Sequence, residues 1–224
     1  MTLQRSGAYM TTTSGVRVQT GVPARGLLGM PAPVVRDLRE RGGRGPRSLM
    51  FAPGDVVVIS GLPGSGKSTL IRGAAEGGGI DSQDTRDRWD ERMPRLVPYA
   101  VYRPLVRVAH YVGLWRALRS GAGVVVHDCG TQSWVRRWLA HEARRRGRAL
   151  HLLLLDVSPA VARAGQRDRG RGVSPYAFSR HRYAVSRLVR DAERGHLPAG
   201  CASATLLDRD AATTLTRIGF TPTP

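Results

Sequence analysis

Residues 61–68 read GLPGSGKS, which fits the spacing G-x-x-x-x-G-K-[ST]. These residue types in this order suit one task, the holding of a phosphate chain. Gly61, Gly64 and Gly66 let the backbone turn so that successive N–H groups point inward at phosphate oxygens. Leu62, Pro63 and Ser65 complete the loop. Lys67, Ser68 and Thr69 open the following helix, whose positive dipole end adds to the attraction. Ser68 offers a hydroxyl to Mg²⁺, an ion that keeps most of its waters. Lys67 is the only lysine among 35 Lys and Arg residues. A compact charge on a flexible stem can reach the β- and γ-phosphates, whereas a guanidinium is wider, planar and directional. Drift toward arginine elsewhere in the chain has therefore spared this position. The expected ligand is ATP with Mg²⁺.

Binding phosphates is not yet chemistry on them. Phosphoryl transfer is mainly positioning and charge stabilisation. It needs a carboxylate within reach of the acceptor hydroxyl, and arginines over the group in transit. A mobile arginine-bearing segment would also exclude water. Asp128 ends an apolar run beside the loop. Asp81 and Asp84 follow a short apolar stretch, where N-capping a helix near Thr85 is the alternative role. Arg163, Arg167, Arg169 and Arg171 lie together in one interval, although a chain this rich in arginine places some in any loop.

These groups need a scaffold, and the apolar runs supply one. Residues 56–60, a short stretch near Ile80, 124–128, 149–156 and 204–208 read as strands. Helical patterns separate them over 67–76, 98–120, 133–146, from Ser158 onward, to about Arg194, and over 211–218. Strands that are apolar on both faces and alternate with helices make a parallel sheet covered on both sides. The expected class is α/β, a doubly wound, mostly parallel sheet of about five strands, with ligands at the carboxyl ends of the strands. Residues 1–47, ending in RGGRGPR, read as a basic tail, with a short helix possible at 34–40. Residues 48–224 form the domain. Removal of the tail is expected to leave nucleotide binding intact. Trp134 and Trp138, one turn apart, are expected in the core.

Composition narrows the classes. The chain has 224 residues and a net charge of +18. Such a charge favours polyanions, and Arg136, Arg137 and Arg144 to Arg146 could make a basic helix face. A solvated surface is the simpler reading of that face. Cys129 and Cys201 have no metal-ligand spacing. Isolated thiols and the lack of a bilayer-length apolar run suggest a cytoplasmic protein with no membrane partner, as monomer or homodimer. There is no N-K-x-D guanine motif and no asparagine at all, against a GTPase switch. The strand at 124–128 ends in a single acid, against a motor ATPase.

From Pro53 to about residue 220 the chain resembles the small bacterial P-loop kinases grouped with zeta toxins and with the kinase domain of polynucleotide kinases. GLPGSGKSTL is a common form of the loop in that group. Ser82-Gln83-Asp84 matches a Ser/Asn-x-Asp stretch there, although Asp87 stands where an arginine is usual. Asp128-Cys129-Gly130-Thr131-Gln132 matches Asp-x-Thr-Asn in part, with Gln132 in place of Asn. The resemblance implies a nucleoside-kinase-like P-loop sandwich that moves the γ-phosphate of Mg-ATP to a hydroxyl. In this reading Asp84 is the base, Asp128 the acid near metal or acceptor, and Arg167 and Arg169 part of a lid. The acceptor is open: a nucleic-acid end or a small molecule. The rival is a nucleotide-gated nucleic-acid-binding module.

Overall fold

The computed structural model describes residues 34–76, 79–80, 88–89, 91, 99–128, 132–168 and 172–221. The sheet has six strands rather than about five, and every pairing in it is parallel. They are β1 (Val34–Asp37), β3 (Val56–Gly61), β4 (Gly79–Ile80), β5 (Val124–Asp128), β6 (Leu150–Leu155) and β7 (Cys201–Leu207), in the order β1-β7-β6-β3-β5-β4. Two further strands, β2 (Ser48–Phe51) and β8 (Arg217–Phe220), pair with each other as a separate parallel ribbon. The helices are α1 (Lys67–Ala74), α2 (Tyr99–Arg119), α3 (Ser133–Arg145), α4 (Pro159–Arg167), α5 (Pro175–Glu193) and α6 (Arg209–Thr214).

Strand periodicity divides the core. Val56 and Val58 point to one face with Leu152 and Leu154, where Leu114, Leu118, Leu139 and Val185 of α2, α3 and α5 cover them. Val57 and Ile59 point to the other with Leu153 and Leu155, under Leu70 and Ile71 of α1, Ala211 of α6, and Leu49 and Ile218 of the ribbon. Every residue of β3 is buried. This is why the strands read as unbroken apolar runs rather than alternating ones. Ser-Pro opens two helices, at Ser158, where a helix was expected to begin, and at Ser174. Ser158 and Ser174 each accept a bond from the backbone three residues on, with proline in the first turn.

Two expectations are corrected. Residues 34–47 are not tail. Val34–Asp37 pairs along its length with Ser203–Leu206, and Leu38 N–H continues the ladder to Leu206 O. Arg39 then binds Asp37, Asp156 and Glu193 at once, tying this edge to the end of β6 and the end of α5. Four residues are too few to display a period. Their strand partner is supplied by a segment far along the chain. Likewise the last helix ends at Thr214, and Arg217–Phe220 is a strand because Ser48–Phe51 is there to pair with it.

The connections set the place of the site. From β3 the chain moves outward to β4 and returns through β5. It then crosses β3 to build β6 and β7 on the other side. The crevice of such a sheet lies where the direction reverses, at the carboxyl end of β3. GLPGSGKS begins there.

At the opposite edge of the sheet, Asp55 accepts bonds from the N–H groups of Ala52 and Ala149 and pairs with His151 Nε2 at 3.1 Å. His151 Nδ1 meets Ser203 Oγ at 2.8 Å. Burial alone would push the Asp55 carboxyl up, but these hydrogen bonds outweigh it and hold the group below the usual carboxylate range. Among the described residues no helix is long and apolar enough to cross a membrane.

Candidate functional site

The loop backbone is shaped by its glycines. Gly64 and Gly66 take φ of 85° and 100°, values a side chain disfavours. Gly66 is the N-cap of α1, and no side chain caps that helix. The first-turn amides of α1 therefore lack the usual side-chain acceptor at the mouth of the loop. Gly64 also abuts α4, where a Cβ would run into the Ala162 carbonyl. Gly165 of α4 faces the Gly64 carbonyl with the same lack of room.

Lys67 is buried, and its Nζ donates to Gly61 O at 2.8 Å and Leu62 O at 2.6 Å. Two carbonyls of the loop thus hold the ammonium over the loop's own centre. Ser68 is buried directly behind it. The hydroxyls of Ser60 and Ser65 are buried and lack hydrogen-bond partners among the described residues. Buried hydroxyls of this kind are costly unless something satisfies them. Positive-φ glycines, an uncapped helix start, one buried ammonium and unsatisfied hydroxyls all fit a magnesium-bound phosphate chain. Ser68 would hold the metal, and the metal when bound would neutralise charge between the outer phosphates.

Asp128 lies on the β5 side of β3, opposite Ser60 in the register. It is buried and paired at 2.7 Å with Arg136 of α3. Arg136 was expected on a basic surface, but it points inward. Arg146 is also drawn in, donating to Glu142 O and Leu118 O. Arg137, Arg144 and Arg145 remain exposed, so the polyanion face is smaller than the sequence suggested. Tyr111 donates to Gln132 Oε1 at 2.9 Å just beyond Asp128. Trp138 packs against the core as expected, whereas Trp134 is 51% exposed.

On the other side of β3 a cleft of about 500 Å³ opens from Gly64–Gly66 and Thr69, between α4 and α6. Asp168, Arg209, Thr213 and Thr216 supply its polar groups. Arg209 and Gln166 were not singled out in the sequence. Arg209 opens α6 two residues past the carboxyl end of β7, the edge at which ligands of such a sheet bind. Gln166 gave no signal. Its Nε2 donates to Pro63 O at 2.9 Å, and its Oε1 accepts from Val173 N–H, so it joins the loop to the far side of the 168–172 segment. Arg167 is exposed at the end of α4. Arg163 lies over the Phe178 ring at 4.8 Å and serves to pack α4 on α5. Asp81, Asp84, Arg169 and Arg171 lie outside the described residues.

Loop, strand order and cleft together define a P-loop nucleotide-binding protein. The chain belongs to the AAA domain family, whose model matches residues 56–192, more than half its length. No curated protein matches it. Among solved structures it is similar to one from the PezAT chromosomal toxin–antitoxin system of Streptococcus pneumoniae. That match has 14% identity and a TM-score of 0.47, covering 76% of this chain and 72% of the other. It is also similar to the tunicamycin resistance protein of Deinococcus radiodurans, at 14% identity and a TM-score of 0.38, covering 71% and 91%.

Proposed function

We propose that this protein is an ATP-dependent phosphotransferase that moves the γ-phosphate of Mg-ATP to a hydroxyl acceptor. The observation that carries this reading is the two-sided site about Lys67. A cleft of nucleoside size opens on the β6 side of the loop, and a buried carboxylate stands on the β5 side. The cleft suits the nucleoside, and the carboxylate suits the metal or the acceptor. Lys67 and the loop amides grip the phosphates, and Arg209, Thr213 and Thr216 line the space for the nucleoside. Asp128, fixed by Arg136, acts on the metal or acceptor side. Asp84 takes the proton of the acceptor hydroxyl. Arg167 and Arg169 close over the transferring group and exclude water.

The test uses γ-labelled ATP, Mg²⁺ and a metabolite-plus-RNA extract, with and without nuclease. Wild type should label an acceptor. Asp84→Asn should lose transfer while keeping ATP affinity, and nuclease sensitivity would identify a nucleic-acid acceptor. Slow hydrolysis alone, equal in both proteins, would overturn the reading in favour of a nucleotide-gated module. No observation of the α3 surface favours that module now that Arg136 and Arg146 point inward.

A further inference from the structure

Helix α2 has two apolar faces where one would suffice. Tyr102, Val106, Leu114 and Leu118 are buried and fasten it to the domain. On the opposite face Val101, Leu105, Val108, Val112 and Trp115 are between 38% and 67% exposed. Their steps of four, three, four and three residues are the heptad spacing of a helix-pairing seam. The stripe runs about 21 Å at 1.5 Å per residue. The half-exposed Trp134 of α3 widens it, with its ring 5.3 Å from that of Tyr111. Scattered surface apolar residues are ordinary, but a continuous seam in register is not.

Charge decides what the seam accepts. Helix α2 contains four arginines and no acid. Arg119 continues the seam's own spacing and lies over the Trp115 ring at 4.5 Å, and Arg116 is exposed beside it. Arg137 is exposed on the neighbouring α3. A second copy would bring these same arginines to the seam, where its own α2 has no acid to meet them, on a chain of net charge +18. We infer that the seam docks an amphipathic helix of another protein, apolar along its own heptad stripe and flanked by Glu or Asp. Such a helix buries the five apolar side chains and pairs with the arginines. This inference does not rest on the phosphotransfer reading.

The probes are two synthetic helical peptides of about three heptads with leucine at a and d, one flanked by Glu and one by Lys. Each is titrated against the full chain, with tryptophan emission as readout. The Glu peptide should bind at least about tenfold tighter than the Lys peptide, and its binding should weaken with salt. Leu105→Gln with Val112→Gln, both at exposed positions, should weaken it by a similar factor while leaving the melting curve and ATP binding unchanged. Arg116→Gln with Arg119→Gln should erase the preference between the peptides. Equal binding of both peptides by wild type, or binding of neither, overturns the inference. So does a concentration-dependent dimer of the chain alone that Leu105→Gln and Val112→Gln abolish, since the occupant is then a second copy.

Discussion

Lys67 shows how narrowly one side chain can be specified. Its Nζ reaches two carbonyls of its own loop from a buried stem, a space and direction that a guanidinium does not share. Lys67→Arg, conservative elsewhere in this chain, should weaken ATP binding by about a hundredfold or more, close to Lys67→Ala. Isothermal titration would show it, and retained affinity in the arginine variant would refute the account. Asp128 and Arg136 make the complementary case. Breaking this buried pair with Arg136→Met leaves a carboxylate uncompensated and should cost about 3–5 kcal/mol. Replacing both residues by apolar ones should restore most of the stability without restoring activity. Denaturant unfolding of the single and double variants separates the two effects. Lys67 and Asp128 were legible in the sequence because motif spacing and strand-end position mark them. The inward turn of Arg136 was not. One of two adjacent arginines carries no local sign of the carboxylate it will meet.

At the scale of elements, the edge strand β1 is the part that local reading missed. Arg39 gathers three carboxylates, and Asp37 is held below its ordinary range chiefly by the Arg39 side-chain bond, against some burial. Arg39→Ala should cost about 1 kcal/mol, more than an isolated surface pair, because three partners lose one cation. Deletion through Gly45 removes β1 and Arg39 together and exposes the edge of β7. It should lower the melting temperature well below that of Arg39→Ala, contrary to the expectation of a dispensable tail. An unchanged melt would show that β1 adds nothing to the domain. The clamp below the sheet gives a pH dependence. The Asp55 pKa is depressed in the fold, so its contribution is present above the unfolded carboxylate value of about 3.9 and is lost as pH falls through the folded value. Asp55→Asn should therefore be less stable at neutral pH and lose less stability between about pH 5 and pH 2. Melting temperatures across that range would test it, and parallel acid limbs would exclude Asp55 as the cause.

At the scale of the whole molecule, a net charge of +18 on 224 residues is a self-repulsive load. Raising ionic strength from about 0.01 M to about 0.1 M shortens the Debye length from about 30 to about 10 Å and should raise the melting temperature. A fall would mean that ion pairs such as those of Arg39 outweigh the repulsion. The sequence by itself determined the class of fold, the four long strands β3, β5, β6 and β7, and the phosphate loop. Each depends on local facts: apolar runs of strand length, glycines where the backbone must turn, and a lysine no arginine can replace. Tertiary structure alone decided that Val34–Asp37 and Arg217–Phe220 are strands and that Arg136 belongs to Asp128. It also decided that Gln166 holds the loop and that α2 keeps an apolar seam turned outward. The two strands and the Gln166 bond depend on partners distant in the chain, and a short segment cannot announce a contact whose other half it does not contain. The Arg136 pair and the seam depend on how α3 and α2 lie against the sheet, which no local pattern states.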